Sequence, residues 1–376
     1  TTNLVRAVNC LGEAYQISGD NKKALEFYSK AHDIAKSIED ESDSKKELAI
    51  AFINIANAYH SLGFYNQSIE NCLASLDLNE NLTNNPFAVA KLLNSLGLSL
   101  NELNSISASI AENLVKLDPF IESVKSTTTS EMTASESKLS SNKIKYYSLL
   151  CILRALEIRK SLYNHDHPDL AYSMSSAGLV YLKLGESKRS LEFSLESHKM
   201  YMSLYQENHP FISNSLNNIG LAYQKLGDDK KSLEYLIRAY EISKKVKGQN
   251  HPDVAINLFN IGFAYLKLGK IQKSIENSTK AIEIFEKLDK NHINLGMFYY
   301  NLANILETDS QLNKSLDCRL KALNIYKKFY PDEHPEVASL LNSISIVYGK
   351  LGDSSKALDY SLLAFNMYRN IYNDHK

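Results

Sequence analysis

Residues 250–267, NHPDVAINLFNIGFAYLK, bring together side chains that could carry out acid–base chemistry or hold a metal ion. His251 stands two residues before Asp253, and Asn260 and Lys267 follow on the predicted helix. A histidine beside a carboxylate is a common general acid or base. A catalytic group of this kind normally occurs once in a chain, whereas residues that mark the start of a structural repeat occur once in every repeat. Recurrence of the pattern therefore decides between the two interpretations.

The His-Pro dipeptide recurs at fixed intervals. It occurs four times, at His167, His209, His251 and His334, with intervals of 42, 42 and 83 residues. His292 fills the long interval near its middle, and it is followed by isoleucine in place of proline. The acidic residue is not kept, because Phe211 stands at the position of Asp253. The motif therefore marks the start of a repeat, where His can cap a helix and Pro can occupy its first turn.

Glycine follows the same period. Eleven of the fourteen glycines fall into two slots seven residues apart, as in Gly178 and Gly185. A tyrosine stands four residues before the second slot in six repeats: Tyr15, Tyr59, Tyr181, Tyr223, Tyr265 and Tyr348. The first glycine lets a neighbouring helix approach closely, and the second ends helix A of each repeat in a left-handed conformation.

An apolar stripe with helical spacing follows the second glycine slot, as in KSLEYLIRAYEI. This stripe predicts a second helix, helix B, with one buried face. A single helix pair cannot bury its own apolar faces, so successive pairs are expected to stack into a solenoid.

The order of small residue, Tyr, Gly, Ala or Ser, aromatic and Ala resembles the tetratricopeptide repeat. The 42-residue period, with ALEIRKSLYNHDHPDLA at residues 155–171, resembles the kinesin light chain variety. The resemblance implies an all-α, right-handed α-solenoid of about seven helix-turn-helix repeats. Two departures weaken single repeats: the early tryptophan of the family is absent, and Leu306 and Ser310 replace tyrosine and glycine after His292.

The array is interrupted once. We predict repeats 1 and 2 and helix A of repeat 3 in residues 1–103, an insertion at residues 104–142, and helix B of repeat 3 and repeats 4 to 8 in residues 143–376. Apolar spacing predicts a helix over residues 105–125, interrupted by Pro119. Residues 126–142 contain ten Ser or Thr among seventeen residues and predict a flexible linker. Either the extra helix packs on a neighbouring repeat, or residues 116–124 lie in the groove of the solenoid as an internal ligand.

Three repeat positions are predicted to face a ligand on the concave side of the A helices. The position two residues before the first glycine slot holds four asparagines, Asn54, Asn218, Asn260 and Asn301. One residue earlier in the repeat stand further asparagines, including Asn217 and Asn342. Two residues before the second glycine slot stand four lysines, Lys183, Lys225, Lys267 and Lys350.

Amide side chains can bond to the backbone of an extended peptide whatever its sequence, and lysines favour acidic residues in it. Similar residues hold acidic peptides in tetratricopeptide proteins, including the cargo-adaptor peptides of kinesin light chains, and the resemblance carries that role to these positions. Two structural roles are alternatives to ligand binding. A lysine in the last turn of a helix also complements the helix dipole, and the asparagines could bond to the adjacent repeat.

Other function classes find little support. No nucleotide-binding, metalloprotease or hydrolase motif is present, so we predict neither an enzyme nor a cofactor. His165 and His167 could hold a metal, but no third ligand is evident. The net charge of -1 favours neither nucleic acid nor a membrane surface as a partner. No stretch has the length and apolarity of a membrane span. Four cysteines with no CxxC spacing indicate a reducing, cytoplasmic environment.

The predicted function is a protein–protein interaction scaffold that binds a peptide segment of a partner in its groove. The alternative is a regulatory or client-sensing repeat domain of a larger protein, such as a multidomain enzyme or a microbial effector. The chain begins Thr1-Thr2 without methionine, and we expect it to be a piece of a longer protein. Self-association through open solenoid ends is a further expectation.

Overall fold

The computed structural model of this chain describes residues 2–78, 85–103, 108–118, 121–122, 141–290, 292–330 and 334–373. Within these ranges the chain is helical and contains no strand, which confirms the all-α class. The chain divides into two compact units, Thr1–Ile242 and Ser243–Lys376.

The first unit contains the following helices: α1 (Thr2–Ile17), α2 (Asn21–Lys36), α3 (Glu41–Leu62), α4 (Tyr65–Leu78), α5 (Pro86–Glu102), α6 (Ala108–Leu114), α7 (Ser141–Leu162), α8 (Pro168–Lys183), α9 (Ser187–Leu204) and α10 (Pro210–Lys225). Helix α11 (Asp229–Lys247) begins in the first unit and ends in the second. The second unit continues with α12 (Pro252–Lys267), α13 (Ile271–Leu288), α14 (Ile293–Thr308), α15 (Leu312–Phe329), α16 (Pro335–Lys350) and α17 (Ser354–Asn373).

The helices form A/B pairs that pack along their lengths. The A helices are α1, α3, α5, α8, α10, α12, α14 and α16, and each except α5 is paired with the helix that follows it. The partner of α5 is α7, across the predicted insertion. The described helices thus form eight pairs, where about seven were expected. Each pair contributes buried apolar side chains to the core, as Ala24 and Tyr28 of α2 do with Ile55 and Ala58 of α3.

The second glycine slot ends the A helices as the sequence predicts. Gly19, Gly63, Gly185, Gly227, Gly269 and Gly352 all have φ between 72° and 86°. In these turns the residue after the glycine donates its backbone N–H to the carbonyl of the tyrosine position, as in Asp228 to Tyr223 at 3.0 Å. This bond is the six-to-one contact of a Schellman cap. Ser310 takes the same slot with φ 59°, and it is the one non-glycine residue with positive φ among the described residues.

Helix B lies close to helix A at the first glycine slot. A methyl group at Gly97 would lie 2.9 Å from the backbone oxygen of Ser148 and 2.6 Å from the side chain of Ile152. At Gly178 a methyl group would lie 3.2 Å from the backbone oxygen of Ser190. The expected reason for the first glycine is therefore confirmed: a side chain there would push the two helices apart.

The repeat-start histidines are N-caps, as the sequence predicts. Nδ1 of each accepts the backbone N–H two residues later at 3.1 to 3.3 Å, in the following five cases: His167, His209, His251, His292 and His334. Three of these rings also stack on a tyrosine at the end of the preceding helix B, as Tyr330 does on His334 at 3.9 Å. Because Nδ1 is an acceptor, the cap needs a neutral imidazole.

The His334 cap gives a pH-dependent contribution to stability. Burial lowers the pKa of His334 to about 4, below its ordinary value near 6.5. The unfolded chain therefore binds more protons than the folded chain between these values, and stability falls as the pH drops from about 6.5 towards 4. His334→Asn keeps a capping oxygen and removes the titration.

We expect the wild type to lose about 1 kcal/mol more than His334→Asn between pH 7.5 and pH 5, after allowance for the partial exposure of the ring. Urea denaturation of both proteins at the two pH values measures the difference. Equal losses in the two proteins would contradict this role for His334.

The described part of the insertion packs on B helices. Helix α6 leads into a single 3-10 turn, Val115–Leu117. Four buried apolar side chains of this segment join the core formed with α4, α5 and α7: Ile110, Leu114, Leu117 and Ile121. Lys116 forms an ion pair with Asp77 of α4 at 2.8 Å, and Tyr147 of α7 donates a hydrogen bond to Asp118.

We propose from these contacts that the insertion contains an extra helix packed on its neighbours. Residues 119, 120, 123 and 124 of the internal-ligand alternative lie outside the described residues. The predicted flexible linker covers residues 126–142. Residues 126–140 lie outside the described residues, and residues 141 and 142 belong to α7. Since α5 and α7 form one pair, we propose that residues 104–142 are an insertion within the third repeat.

Candidate functional site

The asparagines of the first unit join neighbouring A helices. Asn54 of α3 is buried; it donates to Asn9 of α1 at 3.2 Å and accepts from Lys91 of α5 at 2.9 Å. Asn94 of α5 donates to Ser176 of α8 at 3.0 Å. These bonds use both ends of the Asn54 amide, so in this part of the chain the asparagine slot connects one repeat to the next.

Asn218 of α10 follows the same pattern and donates to Ser175 of α8 at 2.8 Å. Its neighbour Asn217 is half-buried. In the second unit, Asn260 of α12 is also half-buried. Asn301 of α14 donates to the carbonyl of Met297 in its own helix at 2.8 Å, and Asn342 of α16 is exposed. The predicted asparagines therefore differ in how far repeat-to-repeat bonds occupy their amides.

The four lysines that were predicted to face a ligand also divide into two groups. Lys183 forms an ion pair with Glu102 at 2.7 Å and donates to the carbonyl of Asn101 at 3.0 Å. Lys350 forms an ion pair with Glu307 at 2.5 Å. In both pairs the acidic residue belongs to the last turn of the preceding A helix. The chain itself thus supplies a carboxylate to these two lysines.

Lys225 and Lys267 are exposed at the ends of α10 and α12. The ammonium group of Lys267 lies 5.4 Å from the centre of the Phe263 ring, a favourable cation–π contact. Both lysines also lie in the last turn of a helix, where their charge complements the dipole. Their exposure is compatible with both interpretations made from the sequence.

Large apolar side chains are exposed on several A helices, three of which concern the candidate site. Tyr172 of α8 is 43% exposed, Met297 of α14 is 39% exposed, and Ile346 of α16 is 50% exposed. Such side chains on elements that also carry amides and ammonium groups provide both apolar contact area and polar anchors.

Two arginines are almost fully buried beside the A helices. Arg159 of α7 donates to Ser173 at 2.6 Å and to the carbonyl of Asp169 at 3.0 Å, and it lies 3.5 Å from the amide oxygen of Asn94. Burial lowers the pKa of Arg159, and the charge of Asp169 opposes that effect. Burial also lowers the pKa of Lys91, against the opposing charge of Glu13.

Arg319 of α15 forms an ion pair with Glu307 and donates to Asn304 at 2.9 Å. Burial alone would raise the pKa of Glu307, but the hydrogen bond from Lys350 and the charge of Arg319 hold it below its usual range. Glu307 therefore stays ionised and links α14, α15 and α16.

Within the part of the chain that the structure describes, no three His, Cys, Asp or Glu side chains are grouped where they could hold a metal ion. Within the same residues, no helix combines the length and apolarity needed to cross a membrane. The four cysteines are free thiols, three of them buried.

Comparison with known families identifies the repeats. A family model described as tetratricopeptide repeat matches residues 211–287 and 295–370. These two segments are tetratricopeptide repeats. The helix starts at Pro168, Pro210 and Pro252 keep the 42-residue spacing that carries the kinesin light chain-like resemblance. No curated protein matches the sequence.

Solved tetratricopeptide structures share this fold. BtubC (BKLC) from P. vanneervenii is 18% identical, with a TM-score of 0.53 over 60% of this chain and 92% of BtubC. A Rap protein in complex with Competence and Sporulation Factor is 11% identical, with a TM-score of 0.59 over 99% of both chains. Kinesin light chain TPR-like repeats from Podosopora anserina are 18% identical, with a TM-score of 0.48 over 55% of this chain and 99% of that chain. Similarity at these identities shows the fold alone.

Sequence reasoning missed Lys91, Arg159 and Arg319. A signal for the two arginines was present in the alignment of the tetratricopeptide repeats. Arg159 stands in a column that holds uncharged residues in the other repeats, including Ala35, Tyr201, Ser243 and Phe285. Arg319 stands in the column that elsewhere holds the residue opposite the first glycine slot, including Tyr28, Ser194, Leu236 and Ser278. A charge inside an apolar stripe indicates a buried polar cluster.

Proposed function

We propose that this chain is a protein–protein interaction scaffold whose A helices bind a peptide segment of a partner protein. Tetratricopeptide repeats build extended surfaces from stacked helix pairs. The observation that carries the proposal is the composition of the A helices, where exposed lysines, amides and large apolar side chains occur together. We propose no catalytic step, and binding is to a preformed surface.

The exposed lysines determine which residues of a partner peptide the surface favours. Lys225 and Lys267 are exposed, whereas Lys183 and Lys350 already contact Glu102 and Glu307. We therefore propose that acidic residues of a peptide bound to the first unit contact Lys225, and that those of a peptide bound to the second unit contact Lys267. Apolar residues of such a peptide would contact Tyr172 in the first unit, or Met297 or Ile346 in the second, and the exposed area of these side chains is lost from water on binding.

We propose that Asn217, Asn218, Asn260, Asn301 and Asn342 contact the peptide backbone, because an amide can accept from and donate to a main chain of any sequence. We assign Asn54 to the framework, since both ends of its amide are bonded within the chain. The free thiols of the four cysteines fit the reducing, cytoplasmic environment that we propose. The Rap protein similar in fold is described with a bound factor, which supports a ligand-binding use of this fold.

A peptide-display selection on the whole chain tests the proposal. We expect selected peptides to combine Asp or Glu with apolar residues, and their affinity to fall with increasing salt. In fluorescence anisotropy, Lys225→Glu with Lys267→Glu should weaken binding at least about tenfold, equivalent to 1.4 kcal/mol. Lys188→Glu with Lys314→Glu is the matched control, because it changes the net charge equally at exposed positions on B helices. No selected peptide, or equal loss in both double variants, would refute the assignment.

A further inference from the structure

Two of the four repeat lysines are each paired with a glutamate of the preceding A helix. Lys183 of α8 contacts Glu102 of α5 at 2.7 Å, and Lys350 of α16 contacts Glu307 of α14 at 2.5 Å. In the alignment of the repeats, Glu102 matches Thr308, the residue after Glu307. A carboxylate for this lysine is therefore supplied twice, from two different positions in the last turn of an A helix.

The ion pair of the first unit is open to water. The side chains of Lys183 and Glu102 are 38% and 33% exposed, and an ion pair that water screens contributes little to folding. Its larger effect is on the charge that the A helices offer to a partner, because Glu102 neutralises an ammonium group that a peptide carboxylate could use. Glu307 differs, because it also neutralises the buried side chain of Arg319.

Lys225 of α10 occupies the same repeat position as Lys183 but has no internal carboxylate. The last turn of α8, the A helix that precedes α10, holds Leu182 and Lys183. Lys225 is exposed, and within the described ranges it forms no ion pair. The first unit therefore contains one lysine that the chain neutralises and one that it leaves available to a partner.

The two lysines lie on neighbouring A helices. Helix α8 contacts both α5 and α10, and Asn218 of α10 donates to Ser175 of α8 at 2.8 Å. Helices in such contact have axes about 10 Å apart. An extended peptide advances about 3.3 Å per residue, so peptide residues about two to four positions apart reach neighbouring A helices. One peptide could therefore place two acidic residues at Lys183 and Lys225.

We infer that Glu102 determines the peptide specificity of the first unit by pairing with Lys183. The peptide then gains from one acidic residue, at Lys225, and gains nothing from a second acidic residue near the first. This inference rests on the proposed function. Lys183 also donates to the carbonyl of Asn101 at 3.0 Å, which holds its ammonium group in place without Glu102. An ammonium group has three donors, so loss of Glu102 leaves donors for a peptide carboxylate.

Glu102→Gln tests the inference by fluorescence anisotropy. The probes are peptides selected by display on the whole 376-residue chain whose binding Lys225→Glu weakens. Each probe is made in two forms, one as selected and one with a second glutamate about two to four positions from the acidic residue on which binding depends. In the wild type the affinities of the two forms should agree within about twofold. In Glu102→Gln the second glutamate should raise the affinity at least about threefold.

Glu196→Gln, at an exposed glutamate of α9 in the same unit, is the matched control. It changes the net charge as Glu102→Gln does, and it should behave like the wild type. Glu102→Ala removes the same carboxylate with a different side chain and should give the same gain as Glu102→Gln. Far-ultraviolet circular dichroism checks that each variant is folded.

Glu102→Gln with Lys183→Gln identifies the group that gives the gain. This double variant has the net charge of the wild type and lacks both charged groups, so the gain from the second glutamate should disappear. A gain that persists in the double variant, equal affinities of the two forms in Glu102→Gln, or an equal gain in the wild type would overturn the inference and leave the proposed function intact. If no selected peptide depends on Lys225, the inference and the peptide site proposed at Lys225 both fail.

Discussion

Glu307→Ala is expected to lower the free energy of unfolding by about 3 kcal/mol, the largest effect of a single substitution proposed for this chain. Glu307 is the carboxylate that neutralises Arg319, whose side chain is 4% exposed. Its removal leaves a buried guanidinium with the amide oxygen of Asn304 as its hydrogen-bond acceptor. Removing the partner of a buried charge lowers the free energy of unfolding several times more than removing the partner of a charge exposed to water.

Lys350→Ala is the matched control because it removes the other cation that contacts Glu307. The Lys350 side chain is 51% exposed, and an ion pair screened by water contributes little. We expect a loss below about 1 kcal/mol. Urea denaturation followed by circular dichroism gives both values. Equal losses for Glu307→Ala and Lys350→Ala would contradict the assigned role of Arg319.

Arg319→Met in the Glu307→Ala background separates charge from packing. Methionine has a similar apolar length and carries no charge, so it should restore most of the lost stability. The coupling energy of the double-mutant cycle then measures the cost of leaving Arg319 unpaired. Hydrogen exchange should locate the destabilisation in α14, α15 and α16.

The parts of the fold that local sequence determines could be predicted from sequence. A glycine with φ near 80° after Tyr223, or a histidine followed by proline at the start of α10, acts within a few residues of its own position. The aligned repeats reveal these signals because each is used many times. Even the degenerate repeat keeps the turn, although Ser310 must adopt a positive φ, a conformation that costs a residue with a Cβ about 1 kcal/mol.

The candidate site was less predictable because its side chains are partnered across repeats. Asn54 bonds to Asn9 and Lys91, which are 45 and 37 residues away in sequence. Lys183 contacts Glu102, which lies 81 residues earlier because of the insertion. An asparagine or lysine that recurs at one repeat position indicates on which face of the helix the side chain lies. It does not show whether the neighbouring repeat already supplies a hydrogen-bond or ion-pair partner. Apolar spacing predicts a helix over residues 105–125, whereas the contacts that the described part of the insertion makes with α4 and α7 required the structure.

Asn94→Ala is expected to lower the free energy of unfolding by about 2 kcal/mol. The Asn94 amide is 1% exposed and donates to Ser176 at 3.0 Å, while its oxygen accepts from Ser173 at 3.0 Å. The same oxygen lies 3.5 Å from the guanidinium of Arg159. Truncation to alanine removes these partners and leaves buried polar groups of two adjacent repeats without them.

Asn342→Ala is the control, because Asn342 occupies the same repeat slot in α16 and is exposed. It should change the free energy of unfolding by less than about 0.5 kcal/mol. Urea denaturation of the two variants distinguishes the framework interpretation of this slot from the ligand interpretation. A large loss for Asn94→Ala with peptide affinity unchanged under folded conditions assigns Asn94 to the framework. Unchanged stability with weakened peptide binding would contradict that assignment and would place Asn94 in the binding surface.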